Sequence, residues 1–203
     1  MKYLIIGRTG SGKDYIASKF SKQFNLKILE SYTTRKPRVF GGPLSRAVET
    51  GHIFISKEEA AKLTDRIAEW KLGDIEYFAT KQQLDESDIY IINPEAAIRL
   101  IKTFPEESFT IIYVKAKNRK KRHKMLKDRA LLEYGYDNYK EGLEKYMERD
   151  RNETVEFCKF EETIYSTSLY RYLYNELYAF FRGPLYVVTH SYNNKYNIEV
   201  MSS

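Results

Sequence analysis

Short apolar runs alternate with segments of helical spacing along this chain. Three runs rich in Ile, Val and Tyr, at residues 2–6, 88–92 and 109–114, predict buried parallel strands. Two shorter strands are predicted at residues 28–29 and 163–167. Helices are predicted over residues 14–24, 57–63 and 94–102, over the charged stretch 118–159, and over the Tyr-rich segment 169–181. This alternation predicts an α/β fold with three layers and a parallel five-stranded sheet.

Composition and charge narrow the class of protein only slightly. A chain of 203 residues suits one domain with mobile parts, and its formal net charge of +6 favours an anionic partner such as nucleotide phosphates or nucleic acid. The single Cys158 cannot form an intrachain disulfide, and we expect it to be an inert helix residue. The apolar run before Gly7 is too short for a signal peptide or a membrane span, so a cytoplasmic protein is expected.

The segment Gly-Arg-Thr-Gly-Ser-Gly-Lys at residues 7–13 fits the spacing G-x-x-x-x-G-K and lies between a predicted strand and a predicted helix. Glycines let the backbone fold around an anion with its N–H groups pointing inward, and the helix N-terminus adds a favourable dipole. A lysine at this place reaches the β and γ phosphates of a nucleotide. The pattern therefore predicts that ATP is bound by Gly7, Arg8, Thr9, Gly10, Ser11, Gly12, Lys13 and Asp14.

Asp14 stands where a serine or threonine usually follows the lysine. The usual hydroxyl binds Mg²⁺, and a carboxylate is also a hard oxygen ligand of the kind that Mg²⁺ prefers. We therefore expect Asp14 to contact Mg²⁺ directly or through water. The alternative is that Asp14 only caps the first turn of the helix.

A second anion site is predicted at residues 31–38, which read Ser-Tyr-Thr-Thr-Arg-Lys-Pro-Arg, because two arginines with hydroxyls ahead form a bidentate trap for phosphate. S-x-T-T-R-x-x-R after a phosphate loop resembles the nucleoside-monophosphate site of guanylate kinases. The resemblance covers about residues 2–180 and implies that Ser31, Arg35 and Arg38 grip the phosphate of the acceptor nucleotide.

The same resemblance implies a P-loop NTPase fold as a single domain over residues 1–183, with its core at residues 1–30, 81–116 and 160–183. It implies a nucleoside-monophosphate-binding region at residues 31–80 and a helical lid at residues 117–159. Residues 184–203 form an extension outside it.

Further acceptor-site residues are implied by shorter similarities to the guanylate kinases. His52 falls where the family has a phosphate-contacting tyrosine, with a surface loop histidine as the alternative. Glu69 falls on the acid that reads the guanine edge, whereas Tyr77 and Thr80 fall on residues that contact phosphate or base. Asn93 stands where relatives place an aspartate at a strand end, and this change leaves the preferred base open.

Residues 115–151 carry a dense positive charge, for which a solvated or nucleic-acid-binding helix is the ordinary explanation. The segment lies, however, where monophosphate kinases carry a closing lid whose arginines neutralise charge in the transition state. Phosphoryl transfer requires mainly positioning and cationic stabilisation, and lid closure excludes water. Catalytic roles are expected for Lys13 and, within the lid, for Arg129 first and then Arg149 and Arg122.

The expected function is transfer of a phosphoryl group from ATP, with Mg²⁺, to a nucleoside or deoxynucleoside monophosphate, with dGMP or GMP first. The chain resembles the divergent nucleotide kinases of bacteriophages, which implies the host cytoplasm. One alternative is a non-catalytic guanylate kinase-like module that binds phosphopeptides, but the intact loop argues against it. A kinase of nucleic-acid ends ranks last. The Tyr-rich segment 169–181 is expected to pack in the core or to form a subunit contact, as in a homodimer.

Overall fold

The computed structural model describes residues 2–40, 47–116, 118–166, 174–179 and 190–191. Along the chain, the elements are β1 (Lys2–Ile6), α1 (Lys13–Phe24), β2 (Ser31–Thr33), β3 (Val39–Phe40), β4 (Ala47–Val48), β5 (His52–Phe54), α2 (Lys57–Ala60), β6 (Arg66–Leu72), β7 (Ile75–Thr80), α3 (Lys81–Asp85), β8 (Ile89–Ile91), α4 (Pro94–Thr103), β9 (Phe109–Ala116), α5 (Arg119–Tyr134), α6 (Tyr139–Ser166), β10 (Tyr174–Ala179) and β11 (His190–Ser191). Within the described ranges, none of these helices combines the length and the apolar character needed to cross a bilayer.

The central sheet has the strand order β11-β10-β9-β1-β8. Strands β8, β1, β9 and β10 run parallel to one another, as the apolar runs of β1, β8 and β9 predict, whereas β11 pairs antiparallel with β10. A sheet of five parallel strands is therefore not confirmed. The segment predicted as a strand at residues 28–29 makes only an isolated parallel bridge, from Ile28 to Ile89.

Two predictions near the end of the described chain are wrong. Residues 163–166 belong to the last turn of α6 rather than to a strand, and the Thr163 hydroxyl donates to the Lys159 carbonyl one turn earlier, which satisfies this β-branched residue inside a helix. Residues 174–179 form β10 within the segment predicted as a helix, because they pair along β9 from Tyr174 with Ile111 onward. The rest of the segment 169–181 lies outside the described residues.

Helices cover both faces of the central sheet because consecutive residues of a strand point to opposite faces. Leu4 and Ile6 of β1 belong to a buried cluster with residues of α4, including Leu100, whereas Ile5 belongs to a second cluster with Ile16 and Ala17 of α1. Three layers are thus formed, in the order α4, sheet, α1. The carboxyl ends of the parallel strands meet at one edge, which is where loops of such sheets bind ligands.

The middle of the chain forms a second sheet, with the strand order β5-β2-β7-β6. Paired residues point to the same face of a sheet. Ser31 pairs with His52 and Thr33 pairs with Tyr77, so these side chains share one face. Phe78, the neighbour of Tyr77 in β7, is fully buried on the opposite face. Ser31, His52 and Tyr77, three of the acceptor residues implied by the guanylate kinase resemblance, therefore lie on one face of this sheet.

Helices α5 and α6 pack tightly against each other where the chain was predicted to be one long charged stretch. Leu126 and Ala130 of α5 and Tyr146 of α6 form a small buried cluster between them. At their crossing, a Cβ atom on Gly142 would lie 2.3 Å from Cδ2 of Tyr134, so only glycine fits without movement of the tyrosine. Further along, Phe157 and Phe160 of α6 join the core beneath the sheet.

Candidate functional site

The loop between β1 and α1 has the backbone that its glycines predict. Gly10 and Gly12 have φ values of 75° and 90°, which disfavour residues with a Cβ atom. A Cβ atom on Gly7 would lie 2.7 Å from the Val114 carbonyl oxygen of β9, so the loop approaches the neighbouring strand too closely for any other residue. Gly12 is the N-cap of α1 and has no side-chain cap, which leaves the first N–H groups of the helix available to an anion.

Lys13 and Asp14 occupy the first turn of α1 beside this loop. The Lys13 Nζ lies 3.9 Å from Oδ2 of Asp14, and the Asp14 side chain is 73% exposed. The described residues contain no group of three or more histidine, cysteine, aspartate or glutamate side chains that could hold a metal ion. One exposed carboxylate next to a phosphate loop suits Mg²⁺, which is usually bound by one or two carboxylates together with substrate phosphates.

Helix α6 contacts the phosphate loop through Glu153. The backbone N–H of Thr9 donates to Oε2 of Glu153 over 2.6 Å, and the Thr9 hydroxyl donates to Oε1 over 2.5 Å. Arg149, one turn earlier, donates from Nε to the same Oε1 over 2.8 Å. Arg149 thus reaches the loop indirectly, through Glu153.

Arg122, a second predicted lid arginine, is buried in an ion pair. It donates from NH2 to Oδ2 of Asp150 over 2.9 Å and from NH1 to Oδ1 of the same carboxylate. Arg8 of the phosphate loop donates to Oδ1 of Asp150 over 2.7 Å. Burial alone would raise the pKa of Asp150, but its bonds to Arg122 and Arg8 outweigh burial and lower the pKa. Arg122 therefore joins α5, α6 and the loop. In this arrangement its NH1 and NH2 groups donate to the protein, to Asp150 and to the Thr9 carbonyl oxygen.

The two arginines of the second anion site converge on Glu49, a residue that the sequence analysis did not identify. Arg35 donates through NH1 and NH2 to the two carboxylate oxygens of Glu49, over 2.6 and 2.7 Å. Arg38 donates from NH1 and from its backbone N–H, each over 3.1 Å. The Arg35 and Glu49 side chains are only 9% and 13% exposed. The two arginines of the predicted phosphate site therefore lie in one cluster around Glu49, and the buried Nε of Arg35 has no hydrogen-bond partner in it.

Electrostatics keep this cluster charged. Burial alone would raise the pKa of Glu49, but the hydrogen bond from Arg35 and the charge of Arg38 outweigh it, so the pKa lies below its ordinary value. Burial would likewise lower the pKa of Arg35, and Glu49 more than reverses this effect. Arg35 is therefore a cation at neutral pH, as a phosphate site requires.

Ser31, His52 and Tyr77 surround the arginine cluster. The Ser31 Oγ and the His52 Nδ1 lie 3.0 Å apart, and the His52 and Tyr77 rings are 6.0 Å apart between centroids. Burial and then the charge of Arg35 hold the pKa of His52 below its ordinary value, while Glu49 and Asp14 act weakly in the opposite direction. His52 is therefore neutral at pH 7.

Glu69, expected to read the base, lies apart from these residues. Its carboxylate is 2.8 Å from NH2 of Arg66, and the same NH2 lies 2.7 Å from Glu76. Arg66 stacks over Phe78 at 3.9 Å, on the face of the sheet opposite to Tyr77. A β-bulge in β6, in which Ala68 has a φ of 52°, directs Glu69 to that face.

Thr80 and Asn93 both begin helices. The Thr80 side chain accepts from the Gln83 N–H and closes a capping box at α3. Asn93 caps α4 by accepting from the Ala96 N–H over 2.7 Å, as the Asn-Pro sequence before the predicted helix suggests, and its buried Nδ2 has no partner. The Thr80 side chain and the Asn93 Oδ1 are engaged in helix capping. Of these two side chains, the Asn93 Nδ2 is thus the donor that could bind a substrate.

Arg129, the first choice among the lid arginines, lies over the Tyr146 ring at 5.6 Å. Next to it, Glu133 accepts from the Tyr146 hydroxyl over 2.5 Å and lies 3.3 Å from Nε of Arg38. Glu133 therefore connects helices α5 and α6 to the arginine cluster. The same two helices contact the phosphate loop, so both anion sites border one helical pair.

Four acidic residues that complete the two sites were missed, and they are Glu49, Glu133, Asp150 and Glu153. Each pairs with an arginine that the sequence analysis did single out. Only for Glu153 was a local signal available, since Arg149 and Glu153 stand four residues apart on one helix and are therefore neighbours. The other partners lie on separate elements or across a loop.

Comparisons with known proteins add little to this description. No protein-family model matches the sequence, and no curated protein matches it. Among solved structures, the chain is similar to a guanylate kinase from Anaplasma phagocytophilum at 15% identity and a TM-score of 0.42, over 78% of this chain and 85% of that one. At this level of similarity, the functional argument depends on the residues of the chain itself.

Proposed function

We propose that this protein transfers the γ-phosphoryl group of ATP to a nucleoside or deoxynucleoside monophosphate. One observation carries the proposal: the loop at residues 7–13 and the partly buried arginines Arg35 and Arg38 border the same two helices, α5 and α6. Two anion sites facing each other are what direct transfer between two phosphates requires.

The donor is bound by the phosphate loop. The backbone N–H groups of the loop and of the first turn of α1 surround the β and γ phosphates, and Lys13 balances their charge. Asp14 would hold Mg²⁺, which neutralises charge between the phosphates when it is bound. Arg149 and Arg129 of the helical pair are the proposed lid arginines, whereas Arg122 positions the helices through Asp150.

The acceptor phosphate is bound by Arg35 and Arg38, which Glu49 holds in place. The Ser31 Oγ lies 3.0 Å from Nδ1 of His52, and in the tautomer proposed for substrate binding Nδ1 accepts from this hydroxyl while Nε2 carries the proton as a further donor to phosphate. An oxygen of the acceptor phosphate attacks the γ-phosphorus in line, and the bond to the β,γ-bridging oxygen breaks, giving ADP and a nucleoside diphosphate. No covalent intermediate on the protein is needed.

We propose dGMP and GMP as the first acceptors to test, since the guanylate kinase resemblance implies them. The position of Glu69 beside Arg66, away from Tyr77, favours a broad choice of bases, because a carboxylate neutralised by an arginine reads the donor groups of guanine poorly. Neither the ribose nor the oligomeric state enters this proposal.

The test is an assay of ADP formation with ATP, Mg²⁺ and each ribo- and deoxynucleoside monophosphate in turn. At least one acceptor should support turnover, and Lys13→Ala should abolish it because the charge on the transferred group is then uncompensated. Glu106→Gln, which changes an exposed residue in a turn, serves as the control and should behave as the wild type. Equal turnover in Lys13→Ala and wild type would contradict the proposal.

A further inference from the structure

A carboxylate of helix α6 is bound by the phosphate loop. Both oxygens of Glu153 accept from Thr9, one from the backbone N–H and one from the hydroxyl. Thr9 is buried, and the Glu153 side chain is 13% exposed. This contact lies in the middle of the loop whose glycines shape it for an anion.

The Glu153 carboxylate resembles a phosphate in the groups that it presents to the loop. A carboxylate and a phosphate both present charged oxygen acceptors, and backbone N–H groups bind either one strongly. Burial alone would raise the pKa of Glu153, but the charge of Arg149 and the bonds from Thr9 outweigh it, so the group is ionised at neutral pH. The loop therefore already binds one anion, supplied by its own chain.

The contact is held from several sides. Asp150, on the same face of α6, accepts from Arg8 of the loop and from Arg122 of α5. Arg149 donates to the carboxylate oxygen that Thr9 also contacts. Glu153 thus fixes Arg149 beside the loop. An anion that displaced the Glu153 carboxylate from the Thr9 N–H would also meet the Nε donor of Arg149.

We propose that Glu153 competes with the donor phosphates for the Thr9 N–H, and that their binding transfers Arg149 from Glu153 to the incoming phosphate. This inference rests on the proposed function, because it concerns the same donor site. Glu153 is a positioning residue: it keeps Arg149 at the loop before the nucleotide arrives. It also lowers the affinity of the loop for polyphosphate.

The test is calorimetric titration of the full chain with tripolyphosphate, without any acceptor. Glu153→Gln keeps the shape of the side chain but removes its charge, so it should bind tripolyphosphate roughly tenfold more tightly, because bonds to charged groups are the stronger ones. Glu148→Gln is the matched control, since Glu148 is exposed on the same helix, and its affinity should equal that of the wild type. Equal or weaker binding by Glu153→Gln would overturn the inference.

A measurement on the wild type guards against a variant that does not fold. The carboxyl carbon resonance of Glu153 should shift when tripolyphosphate saturates the protein, since the carboxylate then leaves Thr9. A resonance that stays in place at saturation would overturn the inference. The titration needs no acceptor, so its result does not depend on turnover. A protein that shows no turnover in the assay of ADP formation would therefore contradict the proposed function alone. Turnover together with unchanged affinity in Glu153→Gln would contradict only the role of Glu153.

Discussion

The pairing of Glu49 with two partly buried arginines makes its substitution the most informative test of the second anion site. Glu49→Gln keeps the volume of the side chain but leaves Arg35 and Arg38 without their shared anion. Breaking a buried ion pair by neutralising one partner costs about 3–5 kcal/mol, because an uncompensated charge remains. Because these side chains are only partly buried and Arg38 also lies 3.3 Å from Glu133, we expect a cost at the lower end, about 3 kcal/mol.

Urea denaturation followed by circular dichroism measures this cost directly. A loss of about 3 kcal/mol corresponds to a fall of roughly 6–12 °C in Tm for a chain of this size. The matched control is Glu106→Gln, which should change stability by less than about 0.5 kcal/mol because Glu106 is exposed. If Glu49→Gln is as stable as this control, the ion pairs do not hold the cluster together and the reasoning is refuted.

An added anion should partly restore the Glu49→Gln variant. A ligand that binds only the folded state stabilises it in proportion to the logarithm of its concentration over Kd. With Glu49 neutral, inorganic phosphate would meet the uncompensated guanidinium group of Arg35 and that of Arg38, which keeps only Glu133, so the same phosphate concentration should raise Tm more in the variant than in the wild type. An equal rise in both proteins would show that phosphate does not bind at Arg35 and Arg38.

Three further predictions concern helices α5 and α6. Burial, with the charges of Glu153 and Glu95, raises the pKa of Glu156 to about 7. Because the folded state therefore favours the protonated carboxyl group, the free energy of unfolding of the wild type should fall as the pH rises from 4.5 to about 7. Glu156→Gln should remove this fall, and a persisting pH slope in denaturation midpoints would contradict it. Gly142→Ala should lower stability by about 1 kcal/mol in urea denaturation despite its better helix propensity, because of the clash with Tyr134. Arg122→Met should cost about 3 kcal/mol in the same assay by leaving Asp150 undercompensated, and a variant of normal stability with lost turnover would indicate a catalytic arginine.

The sequence predicts most of the central fold because its signals there are local. The apolar runs of β1, β8 and β9 and the Asn93-Pro94 start of α4 depend only on neighbouring residues, and the structure confirms them. The prediction of a helix at β10 was wrong because the tyrosines at positions 170, 172, 174 and 178 were interpreted as lying around most of one helix. All four are even-numbered, and such a period of two is also typical of a strand.

The candidate sites divide in the same way. The phosphate loop is predictable, since the glycines that need unusual φ values and the lysine that follows them are consecutive in sequence. The partners of the arginines are not, because Glu49 reaches Arg35 from the loop after β4 and Asp150 reaches Arg122 from another helix. A dense run of basic residues gives no sign of which side chain will be buried in an ion pair.

The measurement closest to the central claim is binding of one molecule that fills both anion sites at once. Adenosine and guanosine joined through five phosphates should bind with one molecule per chain, and more tightly than ATP or GMP alone, because the second contact becomes intramolecular. Lys13→Ala and Arg35→Ala should each weaken this binding. Binding no tighter than that of ATP, or unchanged by Arg35→Ala, would contradict two facing sites for donor and acceptor.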